Sequence, residues 1–224
     1  MKFYICCSRS KKKKKNIKLG KTGIAAVLII TLLIMTGMLS GCGHKDGSSE
    51  KFSVNGEVFT EAEYEDYCKV WLYEKGYDPT DEDESDQSEL IMDEMIDTEL
   101  LRQYYEKNEP ELFESEEYAS QIESNAESLK QSGSEFFTNN DIGDESIKYY
   151  FMSEYLADKC FEEIKEDYGE SALEEDARKY YMDNQGVYGT ISFENAQSEI
   201  SYTLISQKYN EKLKDLKSDA DIKR

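Results

Sequence analysis

Residues 192–216 read SFENAQSEISYTLISQKYNEKLKDL, and this stretch decides the fold class. Its apolar side chains recur every three or four residues, which is the spacing of one face of an α-helix. They are Phe193, Ala196, Ile200, Leu204, Ile205, Tyr209, Leu213 and Leu216. The stretch predicts one long helix that begins near Ser192, and residues 220–223 after it predict a terminal strand.

Other segments show the same periodicity and predict a mainly α fold. Proline, which interrupts helices, occurs only at Pro79 and Pro110. Between the helices we expect an irregular connector over 133–143 and a glycine-containing turn over 185–190. The other predicted helices reach from Thr60 to Leu72 and cover 88–108, 115–132, 145–168 and 171–184.

A small β-hairpin is predicted over 52–59, before the first helix. Asn55-Gly56 suits its two-residue turn because both central positions need a positive φ. Thr60 is expected to cap the first helix, and Glu63 completes a capping box with it. Ser88 is expected to cap the second helix through its hydroxyl group.

The chain begins with a basic segment, an apolar segment and then Leu39-Ser40-Gly41-Cys42. This order is typical of a bacterial lipoprotein signal, in which the cysteine thiol receives a diacylglyceryl group. A membrane-spanning helix is the alternative, but the apolar run 24–39 has 16 residues. A span needs about 20.

The signal divides the chain into three predicted parts. Residues 1–41 form the signal peptide, 42–51 contain the lipidated Cys42 and a polar tether, and 52–224 form a single helical domain. Two acyl chains hold a protein stably on a membrane. We therefore expect the domain on the extracytoplasmic face of the cell membrane.

The charge of the chain excludes nucleic acid as a partner. Its formal net charge is −21, and removal of the nine basic residues before Cys42 lowers it to −30. Binding to nucleic acid needs Lys and Arg that displace counterions. Seventeen Tyr and nine Phe supply enough apolar area for a folded core despite this charge.

The sequence contains no recognisable catalytic set, metal site or cofactor site. Its single histidine, His44, lies in the predicted tether, which excludes Ser-His-Asp and Cys-His arrangements. The acidic segment 76–87 lacks the glycine and the final glutamate of a calcium-binding EF-hand. Cys68 and Cys160 are expected to be buried free thiols or to form one disulfide.

Pairs of adjacent aromatic residues are the remaining sequence feature that can indicate a function. Neighbours on a helix point about 100° apart, so one ring of a pair can enter the core while the other lies at its edge. Packing is the structural interpretation, and a concave surface that binds unfolded peptides is the functional one. The residues predicted to contact such a peptide are Tyr105, Phe136, Phe137, Tyr149, Met152 and Tyr181.

Five segments in order resemble the SurA/PrsA type of extracytoplasmic foldase and chaperone. They are VNGEVFTEAEYEDYCKVW, LIMDEMIDTELLRQYYEKN, IKYYFMSEYLADKCFEEI, EEDARKYYMDNQ and the segment from ISFENAQ to the C-terminus. The resemblance implies a helical chaperone cradle in which the last helix packs against the N-terminal ones. It also implies that the terminal strand joins the hairpin.

Many members of that family carry a parvulin-type prolyl isomerase domain before the last helix. Here only ten residues separate Tyr181 from Ser192, so such a domain is absent at this position. The resemblance then implies a membrane-anchored chaperone that binds unfolded exported polypeptides without its own isomerase domain. The alternatives are a peptidyl-prolyl isomerase and a scaffold lipoprotein with one folded partner.

Overall fold

A computed structural model describes residues 49–77 and 87–224. These residues belong to one compact unit, His44–Arg224. The signal peptide, Cys42, His44 and most of the acidic segment lie outside the described residues. The described part is mainly helical with a small antiparallel sheet, which confirms the predicted fold class.

The sheet contains β1 (Glu50–Val54), β2 (Glu57–Thr60) and β3 (Ile222–Lys223), in the order β2-β1-β3. β1 begins at Glu50, two residues before the predicted hairpin, so Glu50 and Lys51 belong to the sheet and not to the tether. β1 pairs with β2 and, at Val54 opposite Ile222, with the terminal strand. Both predicted pairings are present.

The hairpin turn also holds the C-terminal strand. Asn55 and Gly56 have φ values of 53° and 90°, as the turn requires. The Asn55 backbone N–H donates to the Asp221 carbonyl at 2.8 Å, and the Asp221 N–H donates to Asn55 Oδ1 at 2.8 Å. Asn55 therefore connects the N-terminal hairpin to the residue that precedes the C-terminal strand.

The helices agree with the predicted periodicity. They are α1 (Glu61–Glu74), α2 (Ser88–Asn108), α3 (Glu116–Ser132), α4 (Ser134–Asn139), α5 (Asp144–Tyr168), α6 (Glu170–Asp183), α7 (Gln185–Tyr188) and α8 (Phe193–Ser218). A 3₁₀ turn, Pro110–Leu112, follows α2. No helix in the described ranges is both long and apolar enough to cross a membrane.

Some helix ends differ from the predictions. The capping box of Thr60 and Glu63 is present. Ser88, however, is the first residue of α2, and the residue before it makes no capping hydrogen bond. The predicted connector contains α4, because Phe137 is drawn into the core, and the predicted turn contains the single helical turn α7.

Two apolar clusters fill the body of the domain. The first joins the sheet to α1, α2, α3 and α5, and its fully buried members include Val54, Val70 and Ile147. The second lies among α2, α5 and α8 around Leu156 and Cys160. Cys160 and the half-buried Cys68 are free, so the disulfide alternative is not formed.

Gly133 allows close packing where α3 meets α4. A Cβ atom at this position would lie 2.6 Å from Phe137 Cε2 and 2.8 Å from Tyr73 Cζ. Real Cβ contacts are not so short, so the two aromatic rings would have to move. Gly186 provides a matched control, because a Cβ atom there would meet no atom within 4 Å.

We expect Gly133→Ala to lower the free energy of unfolding by about 1–3 kcal/mol because it overpacks this junction. Gly186→Ala should leave that free energy unchanged or raise it by up to about 1 kcal/mol. Urea unfolding followed by circular dichroism measures both. Equal stability of the two variants would contradict the packing described for Gly133.

Candidate functional site: an apolar arm tip

Two of the six predicted peptide contacts lie in the core. Tyr105 is 0% exposed and Phe137 is 4% exposed. The Tyr105 ring packs edge-on against Tyr104, and its hydroxyl donates to Glu163 Oε2 at 2.8 Å. This placement corrects the expectation for Tyr105 and Phe137, because a ring without exposed area cannot contact a peptide.

Three more of the six, Phe136, Tyr149 and Met152, are half-buried at the edge of the first cluster. The Phe136 ring stacks on Tyr73 with centroids 4.9 Å apart. The Tyr149 ring lies edge-on to Tyr67 at 5.6 Å. Their side chains mainly complete the core, and the six residues do not form one surface.

An open cleft of about 480 Å³ lies beside Phe136. Apart from Phe136 and Tyr73, it is lined by Gly133 and polar residues, namely Ser132, Ser134, Glu135, Asn139 and Asn140. A polar lining does not favour burial of an apolar peptide segment. The cleft is therefore a weaker candidate than the region around the sixth residue.

Tyr181, the sixth residue, belongs to a structure that we call the arm, defined as α6, α7 and residues 193–204 of α8. Here α6 packs along the first half of α8. A third apolar cluster, separate from the two in the body, holds them together. Its buried members are Ala177, Phe193, Ala196 and Ile200.

The end of the arm exposes large apolar side chains. We call residues 182–191 the arm tip. Met182 is 64% exposed, Val187 79% and Ile191 50%. Behind them, the Tyr181 hydroxyl donates to the Ile191 carbonyl at 2.7 Å, and the Tyr181 and Tyr188 ring centroids are 5.4 Å apart.

Residues 184–193, which include most of the arm tip, also carry no charge. No Asp, Glu, Lys or Arg occurs from Asn184 to Phe193, although charged residues make up 33% of the chain. Three of the six exposed large apolar side chains in the described residues fall within 182–191. Grouped exposed apolar residues mark interaction sites more often than scattered ones do. The tip is therefore the best candidate for a binding surface in the described part of the chain.

Charged groups surround the arm tip and stabilise the arm beneath it. Arg178 stacks 4.3 Å over the Phe193 ring and pairs with Glu174 at 2.7 Å. Burial, and after it the neighbouring Tyr180 and Glu199, raises the pKa of the Tyr188 phenol. Glu199 therefore lies close enough to the tip to act on a group there.

One titratable group in the body, Glu163, has partners on three helices. The Glu163 carboxylate joins α5 to α2 and α8 through the Tyr105 hydroxyl, Lys159 Nζ at 2.6 Å and Lys212 Nζ at 3.8 Å. Burial opposes ionisation of Glu163, but hydrogen bonds from Lys159 and Tyr105 outweigh it and lower its pKa. This arrangement links three helices of the body.

In the described ranges, no three His, Cys, Asp or Glu side chains are grouped closely enough to hold a metal ion.

Comparison with known proteins gives no family model, curated protein or solved structure that matches the chain. The arm tip is thus assigned from its own geometry.

The tip and the arm core should respond differently to substitution. We expect Val187→Ser with Ile191→Ser to change the free energy of unfolding by less than about 0.5 kcal/mol, because both side chains are exposed. Ile200→Ala, at a fully buried position, should cost about 2–5 kcal/mol.

Chemical denaturation of the three proteins measures this difference. A large loss of stability in the Val187→Ser, Ile191→Ser variant would mean that the tip packs against the rest of the domain.

Proposed function

We propose that this protein is a membrane-anchored extracytoplasmic lipoprotein whose arm tip holds unfolded exported polypeptides non-covalently. The observation that carries the proposal is the exposure of three large apolar side chains, Met182, Val187 and Ile191, next to an uncharged segment, residues 184–193. Unfolded chains expose apolar segments that otherwise aggregate, and a surface of this kind can cover them.

The position of the tip suits a protein tethered at its N-terminus. The helix α8 has 26 residues, which corresponds to about 39 Å. Its first residue, Phe193, adjoins the tip, and the strand after its last turn pairs with β1, where the tether enters the domain. The strand β1 and the tip are therefore at opposite ends of α8.

The size of the surface suits weak, reversible binding. Complete burial of one large apolar side chain contributes about 1.5–3 kcal/mol. Three partly exposed side chains supply about 3–6 kcal/mol at most, and association costs reduce that further. A protein that holds and releases many different chains needs affinities of this order.

The resemblance to the SurA/PrsA type of chaperone supports the same proposal. The segment between Tyr181 and Ser192 contains the end of α6, the short α7 and a turn, which leaves no room for an isomerase domain. Binding alone is therefore the activity we propose, in preference to prolyl isomerisation.

Aggregation of a client measures the binding activity. We expect residues 42–224 with Cys42→Ser, at several-fold molar excess, to suppress light scattering by citrate synthase diluted from guanidinium chloride. A variant with Met182→Ser, Val187→Ser and Ile191→Ser should lose most of this effect, because its tip is polar.

Leu90→Ser is the matched control, since Leu90 is 54% exposed on α2, outside the arm. It should suppress scattering as well as the parent does. If the parent protein gives no suppression, or if the tip variant suppresses fully, the proposed binding role is disproved.

Lipid anchoring is tested on the full chain in a bacterial host. The protein should partition into the detergent phase of Triton X-114 and take up labelled palmitate, because diacylglyceryl transfer needs the Cys42 thiol. Cys42→Ser should abolish the label, whereas Cys68→Ser should retain it. Equal labelling of the parent and the Cys42→Ser protein would contradict anchoring at this position.

A further inference from the structure

The arm tip contains one charged residue, Asp183, and lies within an acidic region. Asp183 on α6 and Glu194 on α8 directly flank its uncharged segment, residues 184–193, and both are exposed. Glu199, five residues further along α8, is close enough to contribute to the raised pKa of the Tyr188 phenol. Exposed carboxylates are thus present on both helices that adjoin the tip.

Basic residues offset only part of this border. Residues 170–199 contain seven acids and two bases, Arg178 and Lys179. Arg178 is already paired with Glu174 and stacked on Phe193. A ligand at the tip therefore meets a negative potential around its apolar contacts.

This potential distinguishes among possible occupants. A second copy of the chain would bring the acidic residues of both tips together, and like charges at an interface cost free energy. An anionic membrane surface would be repelled for the same reason. A polypeptide with positive charges beside its apolar residues would bury them and place those charges near carboxylates.

We propose that the arm tip selects polypeptide segments in which a short apolar stretch is flanked by lysine or arginine. This inference rests on the proposed function and adds the substrate class. Val187, Ile191 and Met182 bind the apolar stretch, and Asp183, Glu194 and Glu199 attract the flanking cations. Acid-flanked apolar segments bind more weakly at the same place.

Three dye-labelled peptides test the selection by fluorescence anisotropy with residues 42–224 carrying Cys42→Ser. They share one five-residue apolar centre and have two lysines, two serines or two glutamates on each side. We expect the lysine peptide to bind at least about tenfold more tightly than the glutamate peptide at low ionic strength. At roughly 0.5 M salt, where charges are screened within a few ångströms, this ratio should fall towards one.

Two variants with equal numbers of substitutions test whether the acids near the arm tip cause the preference for the lysine peptide. Asp183→Asn, Glu194→Gln and Glu199→Gln together should reduce the lysine-to-glutamate ratio to about threefold or less. The control, Glu114→Gln, Glu127→Gln and Asp141→Asn, removes the same number of exposed acids outside the arm and should keep the full ratio. Met182→Ser, Val187→Ser and Ile191→Ser together should abolish binding of the lysine peptide.

The outcomes separate the two proposals. Equal binding of all three peptides, lost in the apolar-tip variant, overturns the charge selection and leaves peptide binding at the tip intact. The proposed selection is overturned if the variant with the polar tip still binds the lysine peptide, or if the variant without the three control acids loses this binding. Either result would mean that binding follows the total charge of the protein. If no peptide binds and client aggregation is unaffected, both proposals fail.

Discussion

The continuity of α8 is the constraint on which the rest of the structure depends. Its first residues, Phe193, Ala196 and Ile200, build the core of the arm. Leu213, near its end, is buried in the second cluster, and Leu216 packs against the first. One unbroken helix therefore joins all three clusters.

Polar contacts tie the remaining elements to this frame. Glu99 is nearly fully buried on α2, where Arg102 pairs with it at 2.7 Å and Gln103 donates to it at 2.6 Å. Gln103 also donates to the Val54 carbonyl and accepts from Asn55, so the hairpin is attached to α2. A buried carboxylate is tolerated only when it is paired and hydrogen-bonded in this way.

Much of the fold could be predicted because its signals are local. Helical periodicity, the capping box of Thr60 and the Asn55-Gly56 turn depend on nearby residues, and all three are present. The prediction that Ser88 caps α2 is wrong. A capping hydroxyl belongs to the residue that precedes the first helical residue, and α2 begins at Ser88 itself.

The candidate site was harder to predict because exposure depends on distant partners. For the pairs Tyr104-Tyr105 and Phe136-Phe137 the sequence indicates that one ring is buried but not which one. Which of the two rings is buried depends on helices that are distant in the sequence. For Tyr105 this helix is α5, whose Glu163 accepts a hydrogen bond from the Tyr105 hydroxyl. Val187 lies in the predicted turn over 185–190 and Ile191 directly follows it, so only their uncharged surroundings set them apart in the sequence.

Hydrogen exchange on residues 42–224 with Cys42→Ser, with and without a saturating unfolded client, tests the central claim most directly. We expect slower exchange of backbone amides within 182–193 when the client is bound, with little change in the body. Protection confined to the cleft beside Phe136, or no protection anywhere while the client is bound, would contradict the assignment of binding to the arm tip.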